Sequence, residues 1–134
     1  MSEPFRITTR IDFEAEGRQL GHLDVPHSSN DSAWGALRVP IAVIGHGRGP
    51  TLLFTGGNHG DEYEGPIALL KLARELAPET IEGRLILLPA LNLPAVLAGT
   101  RVSPIDQINM NRAFPGDPRG TPTLMIADYL RRRR

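Results

Sequence analysis

Gly56-Gly57-Asn58-His59-Gly60-Asp61-Glu62 places an imidazole and a carboxylate three positions apart in a glycine-rich turn. Imidazole nitrogen and carboxylate oxygen are both ligands of Zn²⁺. A turn this rich in glycine lets the two side chains reach one point in space. The expectation is that His59 and Glu62 converge as two of the three protein ligands of a catalytic zinc site. The alternative is a helix-capping Glu beside a surface His. Asp61 and Glu64 add acidity that either orients a ligand His from behind or caps the following helix.

A second group lies further on, at Arg101 and in Asn109-Met110-Asn111-Arg112-Ala113-Phe114-Pro115-Gly116. The adjacent Asn111 and Arg112 suit a substrate carboxylate, because Arg offers a bidentate fork and Asn an amide donor. Arg101 suits polarising a scissile carbonyl or holding a developing oxyanion. The alternative makes these surface Arg side chains paired with Asp106 and Asp117.

Residues 1–45 read as an antiparallel β-rich start. It holds strands over Phe5–Phe13, Gly21–Val25 and Ala36–Ile44, with a polar loop over Pro26–Ser32. Pro40 inside the third run predicts an edge position or a bulge. Gly45–Pro50 reads as a turn. Thr51–Thr55 is short and apolar, as expected of a strand covered on both faces. A helix over Pro66–Leu76 follows, with Ile67, Leu69, Leu70, Ala73 and Leu76 as its buried stripe. Leu85–Leu88 is a strand, and Pro94–Ala98 a short helix closed by Gly99. Residues 99–120 form a long polar loop, and Thr121-Pro122 opens a last helix. The fold class is α/β, with a largely parallel or mixed central sheet and flanking helices. The two candidate groups leave strands at one edge of that sheet, where open α/β sheets bind ligands, and they should meet.

The 134 residues carry no net charge, which argues against a nucleic-acid or membrane-surface partner. Hydrophobic content of 40% suits a soluble globular chain. Without cysteine, any metal relies on His, Asp or Glu. No signal peptide or membrane span is legible, so a cytoplasmic protein is the default expectation. The run Arg131–Arg134 reads as the last turn of a helix rather than a basic binding tail.

The Gly-Gly-Asn-His-Gly-Asp-Glu turn, the Leu-Pro-Ala-Leu-Asn-Leu-Pro-Ala run and Asn-Arg-x-Phe-Pro-Gly together resemble the succinylglutamate desuccinylase/aspartoacylase family. The resemblance covers about residues 36–130. It implies the zinc carboxypeptidase fold, one Zn²⁺ per site, and hydrolysis of the amide bond of a small-molecule N-acyl amino acid. It implies His59 and Glu62 as metal ligands, Arg101 as the carbonyl-assisting catalytic residue, and Asn111 and Arg112 as holders of the substrate carboxylate. The Phe-Pro-Gly-Asp-Pro-x-Gly-Thr run is most similar to the branch that deacetylates N-acetyl-diaminobutyrate.

The chain departs from the family pattern in one respect. The family's third ligand is a His on a strand after the helix begun at Thr121, and its catalytic Glu lies further on. No His follows His59, and His22, His27 and His46 lack ligand spacing. The expectation is that residues 1–134 are the amino-terminal part of a deacylase domain, with 46–134 its α/β portion. Two alternatives stand beside it: a zinc carboxypeptidase acting on peptides, and an inactive fragment or split metal-binding subunit. A homo-oligomer stays open.

Overall fold

A computed structural model of the chain describes residues 3–30, 33 and 35–133. Its strands are β1 (Thr8–Thr9), β2 (Gly17–Pro26), β3 (Ala36–His46), β4 (Thr51–Thr55) and β5 (Gly83–Leu88). Its α-helices are α1 (Glu64–Glu75), α2 (Leu93–Ala98) and α3 (Pro122–Arg133). One mixed sheet has the order β1-β2-β3-β5-β4. β1, β2, β3 and β5 pair antiparallel in turn, and only β4 with β5 is parallel. The parallel pairing is confined to the two strands joined by a helical crossover, which is the connection that parallel strands need.

The alternation of β3 builds two cores. Val39, Ile41 and Val43 face one side and join Leu23, Val25, Leu88, Met110, Ile126 and Tyr129 beneath α3. Ala42 and Ile44 face the other and join Leu87 with Leu69 and Ala73 of α1. This is the period-2 consequence of a strand buried on both faces. Pro40 sits opposite His22 of β2, while β5 pairs with β3 only from Ala42 onward. Pro40 therefore occupies a stretch with one neighbouring strand, where a missing N–H costs nothing.

Four elements differ from the sequence reading. Of Phe5–Phe13, only Thr8–Thr9 pairs as strand. The second strand runs well beyond Gly21–Val25, from Gly17 to Pro26. β4 is an edge strand, not a covered one: Leu52, Leu53 and Phe54 are 48%, 43% and 44% exposed. An apolar run reports the tendency to be covered, and among the described residues only β5 lies beside β4. The same applies to α1, whose Ile67 and Leu70 are exposed while Leu69 and Ala73 are buried. Asp31 and Ser32 of the expected polar loop lie outside the described residues, as does Arg134.

Arg131, Arg132 and Arg133 of the basic run are structural. Asp128 is buried in α3 and accepts hydrogen bonds from Arg131 and Arg132. Arg132 also donates to the Glu3 carbonyl, and Arg133 stacks over the Phe13 ring. These guanidinium groups fasten residues 3–13 to the end of α3. No helix among the described residues is long and apolar enough to cross a membrane.

Candidate functional site

The loops after β4 and β5 leave the carboxyl end of the parallel pair together. Gly56 N–H donates to Leu88 O (2.9 Å), Leu91 N–H to Gly56 O (2.9 Å), and Asn92 N–H to Gly57 O (3.0 Å). Gly57 has φ +67°, a left-handed conformation that favours glycine. Gly60 is required by space. A Cβ there would sit 1.9 Å from Ala95 O and 2.5 Å from Thr100 O, both backbone atoms that cannot swing aside. Gly60→Ala is expected to lower stability by about 3 kcal/mol through forced backbone displacement, since overpacking costs ~1–3 kcal/mol when neighbours can yield. A denaturant midpoint unchanged from the parent would contradict this packing.

This turn carries His59 buried, at 5% exposure, and Glu62 exposed. Their side chains converge: His59 Nδ1 lies 3.5 Å from Glu62 Oε1. His59 Nε2 lies 2.9 Å from Asn109 Oδ1, on the long loop. The same Oδ1 lies 3.0 Å from the backbone N–H of Asn111. A backbone N–H can only donate, so the Asn109 atom it meets is the accepting oxygen. His59 Nε2 must then be the donor. In the neutral ring Nδ1 is left with a lone pair, aimed at a carboxylate oxygen.

In that form two acceptors face each other, an arrangement that a shared cation satisfies. A direct hydrogen bond is a poor fit, because 3.5 Å exceeds the ~2.9–3.0 Å of a good N–H···O bond. A shared metal fits better: two bonds of about 2.05 Å at a tetrahedral angle hold their outer atoms about 3.3 Å apart. The donor set and its spacing therefore suit two positions of a divalent metal. Among the described residues no cluster of three His, Cys, Asp or Glu side chains could hold an ion alone. His46, at the end of β3, donates its Nδ1–H to Ile81 O and takes no part.

His59, Glu62 and Asn111 line one cavity of about 260 Å³, with Thr55, Glu64 and the first turn of α1. Asn58 also lines it and buries its Oδ1 with no hydrogen-bond partner among the described residues. Arg101 Nη1 lies 3.5 Å from Glu62 Oε1, which brings its guanidinium to the same carboxylate. Arg112 ends the short 3₁₀ turn Met110–Arg112. It is exposed, and among the described residues its guanidinium has no hydrogen bond or ion pair.

The surface-pairing alternative fails for both Arg residues. Asp106 gives its oxygens to the N–H of Ile108 and to the N–H and hydroxyl of Thr123, at the start of α3. Asp117 accepts from the Arg119 N–H. Asp61 and Glu64 do not orient His59; Glu64 occupies the first turn of α1, where an acid suits the helix dipole. The residue behind His59 is Asn109, which sequence reasoning passed over. Its one available signal was its place two residues before Asn111, the spacing at which an Asn side chain caps a turn.

The model of the succinylglutamate desuccinylase/aspartoacylase catalytic domain matches residues 48–134. The N-alpha-acetyl-L-2,4-diaminobutyric acid deacetylase of Halomonas elongata is 54% identical over 129 residues, covering 96% of this chain and 38% of that protein. The crystal structure of a succinylglutamate desuccinylase/aspartoacylase from Rhodobacter sphaeroides superposes with a TM-score of 0.89 at 54% identity, covering 93% of this chain and 38% of that one. The product-bound ectoine utilization protein EutE (DoeB) of Ruegeria pomeroyi superposes with a TM-score of 0.92 at 52% identity, covering 96% and 39%. The chain thus spans 38–39% of the length of these relatives.

Proposed function

The chain belongs to the succinylglutamate desuccinylase/aspartoacylase family, and from that premise we propose that it forms the amino-terminal part of a zinc-dependent hydrolase of N-acyl amino acids. The reaction adds water across the amide bond, giving a carboxylic acid and a free amine. The observation that carries the reading is the facing pair His59 Nδ1 and Glu62 Oε1, 3.5 Å apart. When bound there, Zn²⁺ supplies Lewis acidity that acidifies water and polarises the acyl carbonyl.

The chain's own residues do the rest of what this part contributes. Asn111 and Arg112 hold the substrate carboxylate by an amide donor and a guanidinium fork. Arg101, whose Nη1 lies 3.5 Å from Glu62 Oε1, would stabilise negative charge growing on the carbonyl oxygen. The third ligand and the general base are assigned to polypeptide beyond these 134 residues. β4 supports that assignment. Its outer edge is free among the described residues, and its carboxyl end leads straight into the His59 turn. A further strand added parallel to β4 would end beside the His59 turn. The relative's 54% identity favours an acetylated diamino acid as substrate.

The test is substrate profiling of the full-length polypeptide with and without a chelator. N-acetyl amino acids should be cleaved and peptides left intact, with activity lost on chelation and restored by Zn²⁺. The purified 134-residue chain should show no turnover. Cleavage of peptide C-termini would replace this reading with that of a carboxypeptidase. Robust turnover by the isolated chain would mean that a base and a third ligand lie among residues 1–134.

A further inference from the structure

We infer that Asn109 is a positioning residue: one oxygen, its Oδ1, fixes the tautomer and aim of His59 and at the same time sets the register of the Asn111-Arg112 turn. The inference rests on the reading of His59 as a metal ligand and adds a residue to it. His59 comes from the loop after β4 and Asn109 from the loop that follows α2, 50 residues later. Oδ1 receives both the ring Nε2 at 2.9 Å and the Asn111 N–H at 3.0 Å.

The argument for the tautomer is one of donors and acceptors. The Asn111 N–H is an obligatory donor, so Oδ1 is oriented toward it and cannot be exchanged for the amide nitrogen by a flip. An accepting oxygen requires a proton on Nε2, and in the neutral ring this leaves Nδ1 with the lone pair that binds a metal. Outer partners of this kind fix ring orientation as well as protonation. His59 is buried, so without this bond its Nε2–H would lose a partner in a place where water does not readily replace it.

Coupling follows from the shared atom. The turn Met110–Arg112 begins at Asn109, whose side chain closes it through the Asn111 N–H. Asn111 lines the cavity with His59 and Glu62. Displacing Oδ1 therefore moves the metal-facing ring and the carboxylate-facing turn together. Asp at this position would also accept both bonds, so Asn109→Asp preserves the geometry while Asn109→Ala removes it.

The experiment uses the full-length polypeptide, ¹⁵N-labelled at histidine, with the His59 ring signals identified by their loss in His59→Ala. In the metal-free protein His59 should be a single Nε2–H tautomer. Asn109→Asp should keep it, and Asn109→Ala should give a mixture. Zn²⁺ affinity should fall about 10-fold or more in Asn109→Ala and stay within about threefold in Asn109→Asp, the scale on which outer partners of ligand His residues act. KM for an N-acetyl amino acid should rise in Asn109→Ala together with the loss of affinity. A wild-type Nδ1–H tautomer would overturn the inference. So would an Asn109→Ala protein with unchanged tautomer and Zn²⁺ affinity, and in both cases metal binding by His59 would still stand. If Zn²⁺ does not bind the wild type but the tautomer follows Asn109 as described, the metal reading fails and the positioning role is supported.

Discussion

His59→Ala in the full-length polypeptide should lose bound Zn²⁺ and amidohydrolase activity together. The ring supplies the Nδ1 lone pair that faces Glu62 Oε1, and no other His among the described residues lies near it. Alanine leaves Glu62 beside Arg101 alone, an ion pair with no place for a second cation. Lewis-acid stabilisation is worth several kcal/mol of the barrier, so a loss of about 10³-fold or more in kcat/KM is expected. His46→Ala is the matched control, because its ring bonds only the Ile81 carbonyl and should leave metal content unchanged. Metal content by mass spectrometry and kcat/KM, measured on the same samples, decide the matter. A His59→Ala protein that keeps one Zn²⁺ per chain would remove the ligand assignment.

Arg112→Ala should separate recognition from metal binding. Its guanidinium has no protein partner among the described residues, so truncation breaks nothing internal. A charged contact to a substrate carboxylate costs about 2–5 kcal/mol when one side is removed, which is a loss of at least ~30-fold in kcat/KM. KM should rise and Zn²⁺ content stay at the wild-type level. Arg112→Lys should recover only part of the loss, because a point charge lacks the fork. A change below about threefold in kcat/KM would make Arg112 an ordinary surface residue, and the carboxylate-holding role of the turn would fall with it.

The convergence of His59 and Glu62 was legible in the sequence because residue type and glycine content are local properties. His59 and Glu62 are three residues apart, and the turn that joins them is written in Gly56, Gly57 and Gly60. Helix ends were legible for the same reason: Gly99 closes α2 in the left-handed conformation and Pro122 opens α3. The α/β class followed from periodicity, since β3 alternates between two cores and α1 carries an apolar stripe.

What only the tertiary structure decided depends on which groups meet across long separations. Asp106 and Asp117 could have paired with Arg101 and Arg112 on charge alone. Backbone N–H groups of α3 and of the Asp117 turn claim them instead, because a buried or capping donor needs an acceptor more than an exposed guanidinium does. The apolar runs of β4 and α1 stated a tendency to be covered but not what would cover them. With β5 on one side only, Leu52, Leu53, Phe54 and Ile67 remain exposed. Asn109 carried no signal for its place behind His59, because a hydrogen bond spanning 50 residues is created where the loop after β4 meets the loop after α2, not by spacing. Residue types and short-range geometry thus determined which side chains within one turn could converge. The sheet order decided which donors and acceptors face each other, because a side chain's protonation and aim are set by the partner that packing brings to it.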